Sequence, residues 1–168
     1  MIETFHSVMI VPAYNEEKNI GAVISGIKAS FPELYIVVVD DGSVDRTADR
    51  AREQGADVLS LPCNMGYGVA LQTGYKYALQ KEFDYCFQMD ADGQHEPSSL
   101  PQIMDALKEN QADVVIGSRF LSQCGYRMPW AGKAGKNLFA FIAFLIIHKK
   151  MTDPTSGFRG FNKKVLQF

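Results

Sequence analysis

Short apolar runs alternate along this chain with stretches whose apolar residues recur every three or four positions. The apolar, mostly β-branched runs predict buried strands, and the stretches of helical period predict helices between them. The predicted strands are residues 7–11, 34–39, 57–61, 85–89 and 113–117. The predicted helices are residues 16–30, 45–55, 66–81, 98–110 and 162–168. This alternation predicts an α/β fold: a three-layer α/β/α arrangement around an open, mostly parallel sheet.

Local signals predict where several of these elements begin and end. Pro12 directly follows the first apolar run and is predicted to end that strand. Asn15 is the predicted N-cap of helix 16–30. One face of that helix is predicted to be apolar, formed by Ile20, Val23, Ile24 and Ile27. The run 34–39 is apolar on both faces, which is typical of a strand buried in a parallel sheet.

The composition is that of a globular protein of one domain. The chain has 168 residues, of which 46% are hydrophobic and 21% are charged. Its first residues lack a basic flank followed by an apolar run, so we expect no secretory signal. Cys63, Cys86 and Cys124 are odd in number and far apart, which fits neither a disulfide framework nor a zinc site. A reducing cytosol is therefore the expected compartment.

The net charge of −2 conceals a strong asymmetry along the chain. Residues 1–118 carry 8 Lys/Arg against 18 Asp/Glu, a net charge of −10. Residues 119–168 carry 9 Lys/Arg against the single acid Asp153, a net charge of +8. The basic part either packs against the acidic part or faces an anion such as a phosphate group or a membrane surface. Nucleic acid is a poor candidate, because the acidic part would repel it.

Residues 138–147 form an unbroken apolar run between Lys133 and Lys136 on one side and His148, Lys149 and Lys150 on the other. Ten residues are too few to span a bilayer. The run predicts either a buried core helix or a helix that lies in a membrane interface with basic ends. The last predicted helix reaches Phe168 unfinished, so we expect the natural protein to continue beyond this residue.

Acidic residues follow two of the predicted strands, and a polar loop follows a third. Asp40 and Asp41 follow strand 34–39, Asp90 and Asp92 follow strand 85–89, and residues 12–17 follow the first strand. In a parallel sheet these ends share one edge, where open α/β proteins bind ligands. Converging acids are unfavourable without a cation or hydrogen-bond donors. A nucleotide with Mg²⁺ or Mn²⁺ would supply both, since these ions prefer carboxylate and phosphate oxygens.

The common phosphate-binding loops are not present in the sequence. The pattern Gly-x-x-x-x-Gly-Lys-Ser/Thr does not occur, which argues against a P-loop protein. Gly66-x-Gly68 resembles half of a dinucleotide-binding fingerprint, but it follows the third strand rather than the first. The next glycine, Gly74, comes too late to complete that fingerprint, so a Rossmann oxidoreductase is disfavoured.

Taken in order along the chain, these segments resemble the family-2 inverting glycosyltransferases, which have the GT-A nucleotide-diphosphosugar transferase fold. The matching segments are residues 11–17 (VPAYNEE), 39–43 (VDDGS), 64–66 (NMG), 90–94 (DADGQ) and 117–120 (GSRF). Residues 153–159 (DPTSGFR) further resemble the polyprenyl-phosphate sugar transferases, the group that contains dolichyl-phosphate mannose synthase. The resemblance implies a single catalytic domain over 1–168. Residues 1–118 would bind the nucleotide sugar, and residues 119–168 would begin the acceptor-binding half.

The resemblance also implies roles for individual residues. The residues expected to bind the nucleoside are Pro12, Tyr14, Glu16 and Asp41. Asp90 is expected to contact the ribose or the metal, Asp92 to ligate Mg²⁺ or Mn²⁺, and Gln94 to add a carbonyl oxygen. Asp90, Asp92 and Arg119 are the expected catalytic residues, because metal and cation stabilise the leaving nucleotide.

An anionic lipid phosphate needs cationic positioning more than it needs a general base. The expected acceptor-binding cations are Arg119, Arg127, Lys133 and Arg159, with Lys136 as a further candidate. For Arg159, a packing role for its segment is an equal alternative. The implied partners are a UDP- or GDP-sugar and a polyprenyl phosphate at the cytoplasmic face of the membrane, where the protein would bind peripherally. A transferase acting on a polysaccharide or lipid hydroxyl, and a nucleotide-binding fragment without turnover, stay open as alternatives.

Overall fold

The computed structural model describes residues 6–94, 97–118, 153 and 156–167. The predictions for Arg119, Arg127, Lys133, Lys136 and the apolar run 138–147 lie outside these residues. Within the described part of the chain, no helix is long and apolar enough to cross a membrane.

Strands and helices alternate through most of the described chain, as the sequence predicts. The strands are β1 (Ser7–Ala13), β2 (Tyr35–Asp40), β3 (Asp57–Ser60), β4 (Tyr85–Gln88), β5 (Val114–Ile116) and β6 (Arg159–Asn162). The helices are α1 (Ile20–Ser30), α2 (Thr47–Glu53), α3 (Tyr67–Gln80), α4 (Leu100–Lys108) and α5 (Lys163–Leu166). A 3-10 turn at Pro97–Ser99 leads into α4.

The strands form one mixed sheet in the order β3-β2-β1-β4-β6-β5. The pairs β1–β2, β2–β3 and β1–β4 are parallel, whereas β6 runs antiparallel between β4 and β5. The chain moves from β1 outward to β2 and β3, then returns to form β4 on the other side of β1. The crevice at the carboxyl ends of β1 and β4 is therefore the switch point where open α/β sheets bind ligands.

Two apolar clusters cover the two faces of the sheet. Met9 and Val11 point into one cluster with α1 and α4, and Val8 and Ile10 point into the other, which contains Ala70 of α3. The predicted apolar face of α1 is buried in the first cluster. This arrangement confirms the predicted three-layer α/β/α fold with a mostly parallel sheet.

Three local predictions were wrong. Pro12 does not end β1, which continues to Ala13. Asn15 does not cap α1, since that helix begins at Ile20 with Asn19 at its N-cap position. β6 was not predicted: Asn162, placed in the final predicted helix, is the last residue of this strand. Its side chain caps α5 by accepting from the Val165 backbone N–H.

Candidate functional site

A cleft of about 400 Å³ opens at the carboxyl ends of β1, β2 and β4. It is lined by Pro12, Ala13, Tyr14, Glu16, Asp41, Asn64, Tyr67, Ala70, Asp90, Ala91 and Asp92. All four residues predicted to bind a nucleoside are on this list, together with both acids of the Asp90-x-Asp92 pair. The structure thus brings together these predicted residues from three separate segments, and residues 64–70 add a fourth.

The loop after β1 is tied to the loop after β2 by hydrogen bonds. The Asn15 backbone N–H donates to Ser43 Oγ at 2.9 Å, and the Glu16 N–H donates to Thr47 Oγ1 at 2.7 Å. The Asn15 side chain accepts from the Val44 N–H at 3.0 Å and so also links the two loops. These bonds fix the backbone directly after Tyr14, whose side chain stays exposed beside the cleft.

Asp41 is the most deeply buried acid of the cleft, with only 4% of its surface exposed. Its Oδ1 accepts from the Met65 backbone N–H at 2.8 Å, and its Oδ2 accepts from the Gly66 N–H at 2.9 Å. Both oxygens therefore hold the loop that leads into α3. Each oxygen has a second lone pair, so a ligand N–H is still a chemically permitted partner.

Gly42 allows the same loop to pass close to the end of β2. Its φ is +70°, and a Cβ there would collide with the backbone of Cys63. Because only glycine adopts this conformation without strain and leaves that space, Gly42 lets Asp41 reach the backbone of residues 65 and 66.

A chain of hydrogen bonds ends on Asp90. The Tyr75 hydroxyl donates to Gln88 Oε1, Gln88 Nε2 donates to the Tyr67 hydroxyl at 2.8 Å, and the Tyr67 hydroxyl donates to Asp90 Oδ1 at 2.6 Å. Desolvation and then the Asp90 carboxylate raise the pKa of Tyr67 above its usual value. The Tyr67 hydroxyl therefore stays protonated at neutral pH and acts as the donor to Asp90.

Asp92 has a more local role than the other two acids. Its Oδ1 accepts from the Gln94 backbone N–H at 2.9 Å, which closes a tight turn around Gly93, where φ is +72°. The exposed Gln94 side chain is not part of the cleft lining. Within the described residues, no three His, Cys, Asp or Glu side chains come close enough to cage a metal. Asp90 and Asp92 nevertheless both line the cleft, and their carboxylate oxygens are of the hard type that binds divalent cations.

The segment that precedes β6 lies against this site at Gly157, next to the Asp90 carboxylate. Ser156 Oγ donates to the Gly117 carbonyl, and the Gly117 N–H donates to the Phe158 carbonyl at 2.8 Å. Arg159 Nε donates to the Ser156 carbonyl at 2.9 Å. In the sheet, Arg159 of β6 lies opposite Gln88 of β4. This geometry supports the packing alternative for the segment and leaves a contact of Arg159 with an acceptor as a prediction.

A second cleft of about 350 Å³ lies at the opposite edge of the sheet, beside the beginnings of β1 and β2. Tyr35, Tyr77 and Phe83 line it together with His6 and Lys81. The Tyr35 and Tyr77 hydroxyls lie 3.3 Å apart, and the His6 ring stacks on Phe83 with centroids 4.1 Å apart. The aromatic side chains of this cleft therefore contact one another, and Phe83 and Tyr77 also belong to an apolar cluster of the core. We assign the cleft a packing role.

Comparison with curated proteins gives relatives across nearly the whole chain. A polyprenol monophosphomannose synthase of Mycolicibacterium smegmatis is 32% identical over 175 residues, covering 98% of this chain and 64% of the relative. An undecaprenyl-phosphate mannosyltransferase of Micrococcus luteus is 31% identical, covering 94% of this chain and 67% of the relative. An uncharacterised protein of Methanocaldococcus jannaschii is 38% identical, covering 92% of this chain and 63% of the relative. The chain thus spans somewhat under two thirds of the length of two of these relatives.

Solved structures show the same fold at lower identity. Glucosyl-3-phosphoglycerate synthase from Mycobacterium tuberculosis superposes with a TM-score of 0.74 at 23% identity, covering 95% of this chain and 57% of that one. Its complex with Mn²⁺ and UDP-glucose gives a TM-score of 0.74 as well. These likenesses support the predicted GT-A fold. The family described as "Glycosyl transferase family 2" matches residues 8–168, so the chain belongs to that family, near its polyprenyl-phosphate sugar transferases.

Proposed function

We propose that this chain carries the donor-binding part of a metal-dependent inverting glycosyltransferase. The enzyme moves a sugar from a nucleotide-diphosphosugar to a polyprenyl phosphate. The observation that supports this most is the convergence of Asp41, Asp90 and Asp92 on one cleft of about 400 Å³ at the switch point of the sheet. The names of the relatives, which include polyprenol- and undecaprenyl-phosphate transferases, support the class of acceptor.

On the donor side, Pro12, Tyr14, Glu16 and Asp41 form the wall assigned to the nucleoside. Tyr14 offers an exposed aromatic face on which a base can stack, and the carboxylates accept from base N–H and ribose O–H groups. The volume of the cleft lies in the usual range for small-molecule sites, so a nucleotide fits it.

The residues present fit a hard divalent cation such as Mg²⁺ or Mn²⁺. Such ions are commonly held by one or two carboxylates, with substrate phosphates and water completing the shell. Asp92, with Asp90 beside it, would hold the ion, and Gln94 would need to turn its amide toward the cleft to join them. When bound, the ion would neutralise charge on the diphosphate that leaves. A Mn²⁺ complex with UDP-glucose is known for the structural neighbour from Mycobacterium tuberculosis.

In the proposed reaction an oxygen of the acceptor phosphate attacks the anomeric carbon of the sugar. The bond from that carbon to the donor phosphate breaks as the new bond forms, with inversion, and a nucleoside diphosphate leaves. Because the attacking phosphate is already an anion, the protein has only to hold it in line. Arg119, Arg127, Lys133 and Arg159 are the proposed cations for this task. We place the reaction at the cytoplasmic face of the membrane, with the protein bound peripherally.

Calorimetric titration with UDP and with GDP, with and without Mn²⁺, tests the donor side. Asp92→Ala is expected to abolish the Mn²⁺-dependent part of nucleotide binding and to leave the fold intact. Asp105→Ala, which removes an exposed acid of α4 outside the cleft, is the matched control. Metal-dependent affinity that survives in Asp92→Ala would refute the assignment of the metal.

Transfer to a short polyprenyl phosphate tests the acceptor side. Arg119→Ala is expected to reduce transfer far more than nucleotide binding, and equal losses in both would move Arg119 to the donor side. Nucleotide binding without transfer to this acceptor or to a lipid hydroxyl would favour the alternative of a binding module without turnover. Transfer to the hydroxyl alone would favour the other family-2 alternative.

A further inference from the structure

The carboxylate of Asp90 is enclosed from two sides by parts of the chain that are far apart in sequence. On one side the Tyr67 hydroxyl donates to Oδ1 at 2.6 Å. On the other side lies Gly157, where a Cβ would overlap the carboxylate and meet Oδ2 first. Asp90 therefore sits between the first residue of α3 and the backbone that leads into β6.

The Tyr67 hydroxyl is itself oriented by Gln88. Gln88 is 2% exposed, its Nε2 donates to the Tyr67 oxygen at 2.8 Å, and its Oε1 accepts from the Tyr75 hydroxyl. Because the Tyr67 oxygen accepts from Gln88, its single proton is directed at Asp90. The Tyr67 ring remains 52% exposed and lines the cleft, so this hydrogen bond lies at the binding site and not in the core.

Gly157 is fixed just as firmly from the other side. Ser156 Oγ bonds to the Gly117 carbonyl, the Gly117 N–H bonds to the Phe158 carbonyl, and the Phe158 side chain is buried in the core. The backbone at residue 157 therefore cannot retreat easily if a side chain is added there. Space for the Asp90 carboxylate depends on the missing Cβ.

Building on the proposed function, we propose that Tyr67 and Gly157 are positioning residues, which fix the Asp90 carboxylate in the orientation needed for metal-dependent nucleotide binding. Tyr67 aligns one oxygen through a hydrogen bond, and Gly157 leaves room for the other. Residues 156–158, which belong to the part of the chain assigned to the acceptor, thereby lie against the donor acid, so a shift of these residues changes the donor site.

Tyr67→Phe tests the hydrogen bond because it removes only the hydroxyl. Loss of a group that orients a metal-binding side chain lowers metal affinity by about tenfold to a hundredfold. We expect a loss of this size in the affinity for UDP or GDP measured calorimetrically with Mn²⁺, and a change of less than about threefold without metal. Tyr77→Phe removes a hydroxyl from the same helix at the second cleft and is expected to leave both affinities unchanged.

Gly157→Ala tests the contact on the Oδ2 side of Asp90, since the added Cβ would overlap this carboxylate. We expect it to reduce Mn²⁺-dependent nucleotide binding at least as much as Tyr67→Phe does. Gly68→Ala is its control, since a Cβ at Gly68 meets no atom within 4 Å. If Gly157→Ala fails to fold, the Tyr67→Phe variant by itself tests whether the orientation of Asp90 controls metal-dependent binding. A purely structural role for Tyr67 would lower binding with and without metal equally, and that result, or unchanged binding, would overturn the inference. Absence of Mn²⁺-dependent nucleotide binding in the unmodified protein would instead overturn the proposed function, and this inference with it.

Discussion

Asp41→Asn separates the structural use of a cleft acid from its use by a ligand. In the protein, the buried Asp41 carboxylate receives two backbone N–H bonds, from Met65 at 2.8 Å and from Gly66 at 2.9 Å. An asparagine amide has one oxygen to accept one of these bonds. Its NH₂ group must then face the other N–H, so one backbone donor of the loop loses its partner.

The size of the effect follows from these two bonds. A hydrogen bond to a charged group contributes about 1.5–3 kcal/mol, and a buried donor without a partner costs about 1–3 kcal/mol. With one bond lost and the other no longer charge-assisted, we expect the free energy of unfolding to fall by about 2–3 kcal/mol. For a domain of this size, 1 kcal/mol shifts Tm by roughly 2–4 °C, so Tm should fall by about 4–12 °C.

Urea and thermal unfolding measure this change, and nucleotide titration of the same samples measures the ligand effect. Asp105→Asn removes an equal charge from the exposed face of α4 and should stay within about 0.5 kcal/mol of the unmodified protein. If Asp41→Asn unfolds like this control, the two backbone bonds do not stabilise the loop and the reasoning is refuted. Loss of nucleotide binding without loss of stability would then assign Asp41 to the ligand alone.

Three further predictions concern the rest of the described chain. Gly74→Ala should lower the free energy of unfolding by about 1–3 kcal/mol in urea, because its Cβ would overlap a β1 side chain. Desolvation alone would raise the pKa of Asp45, but hydrogen bonds from Thr47 lower it below its usual value. The carboxylate therefore stabilises the fold fully above about pH 4, and the pH-dependent part of the stability difference from Asp45→Asn should be lost progressively as the pH falls from about 4 through the lowered pKa of the folded state. Burial raises the pKa of the Cys86 thiol to about 12. At pH 8, peptide mass spectrometry should therefore find alkylation by iodoacetamide at the exposed Cys63 and not at Cys86.

The main features of the fold could be predicted from periodicity because most elements are specified locally. The apolar face of α1 and the β-branched run of β2 each identify their element without reference to the rest of the chain. β6 (Arg159–Asn162) offers no such signal, since Arg-Gly-Phe-Asn has neither an apolar run nor a regular alternation. It is a strand because β4 and β5 both pair with it, and pairing partners decide strand formation more than propensity does.

The errors at Pro12 and Asn15 have the same origin in tertiary context. The carbonyl of Ile10 accepts from Met89, so by alternation the nitrogen of Pro12 also faces the β4 side. The ladder with β4 ends at the pair Ile10–Gln88, so Pro12 has no N–H bond to lose and β1 continues past it. Asn15 has a positive φ of 55° and reaches across to the loop after β2 instead of capping a helix.

The site was foreseen as a convergence of acids, but the fold uses those acids unequally. Asp41 holds the loop before α3, and Asp90 is fixed between Tyr67 and Gly157. Asp92, by contrast, accepts from the backbone N–H two residues away, and this is its hydrogen bond within the described part of the chain. Removing Asp41 or Asp90 therefore disturbs contacts between distant segments of the free protein, whereas removing Asp92 affects the local turn around Gly93. A loss of binding in Asp92→Ala can thus be attributed to the ligand directly, which makes it the cleanest single test of the metal at this cleft.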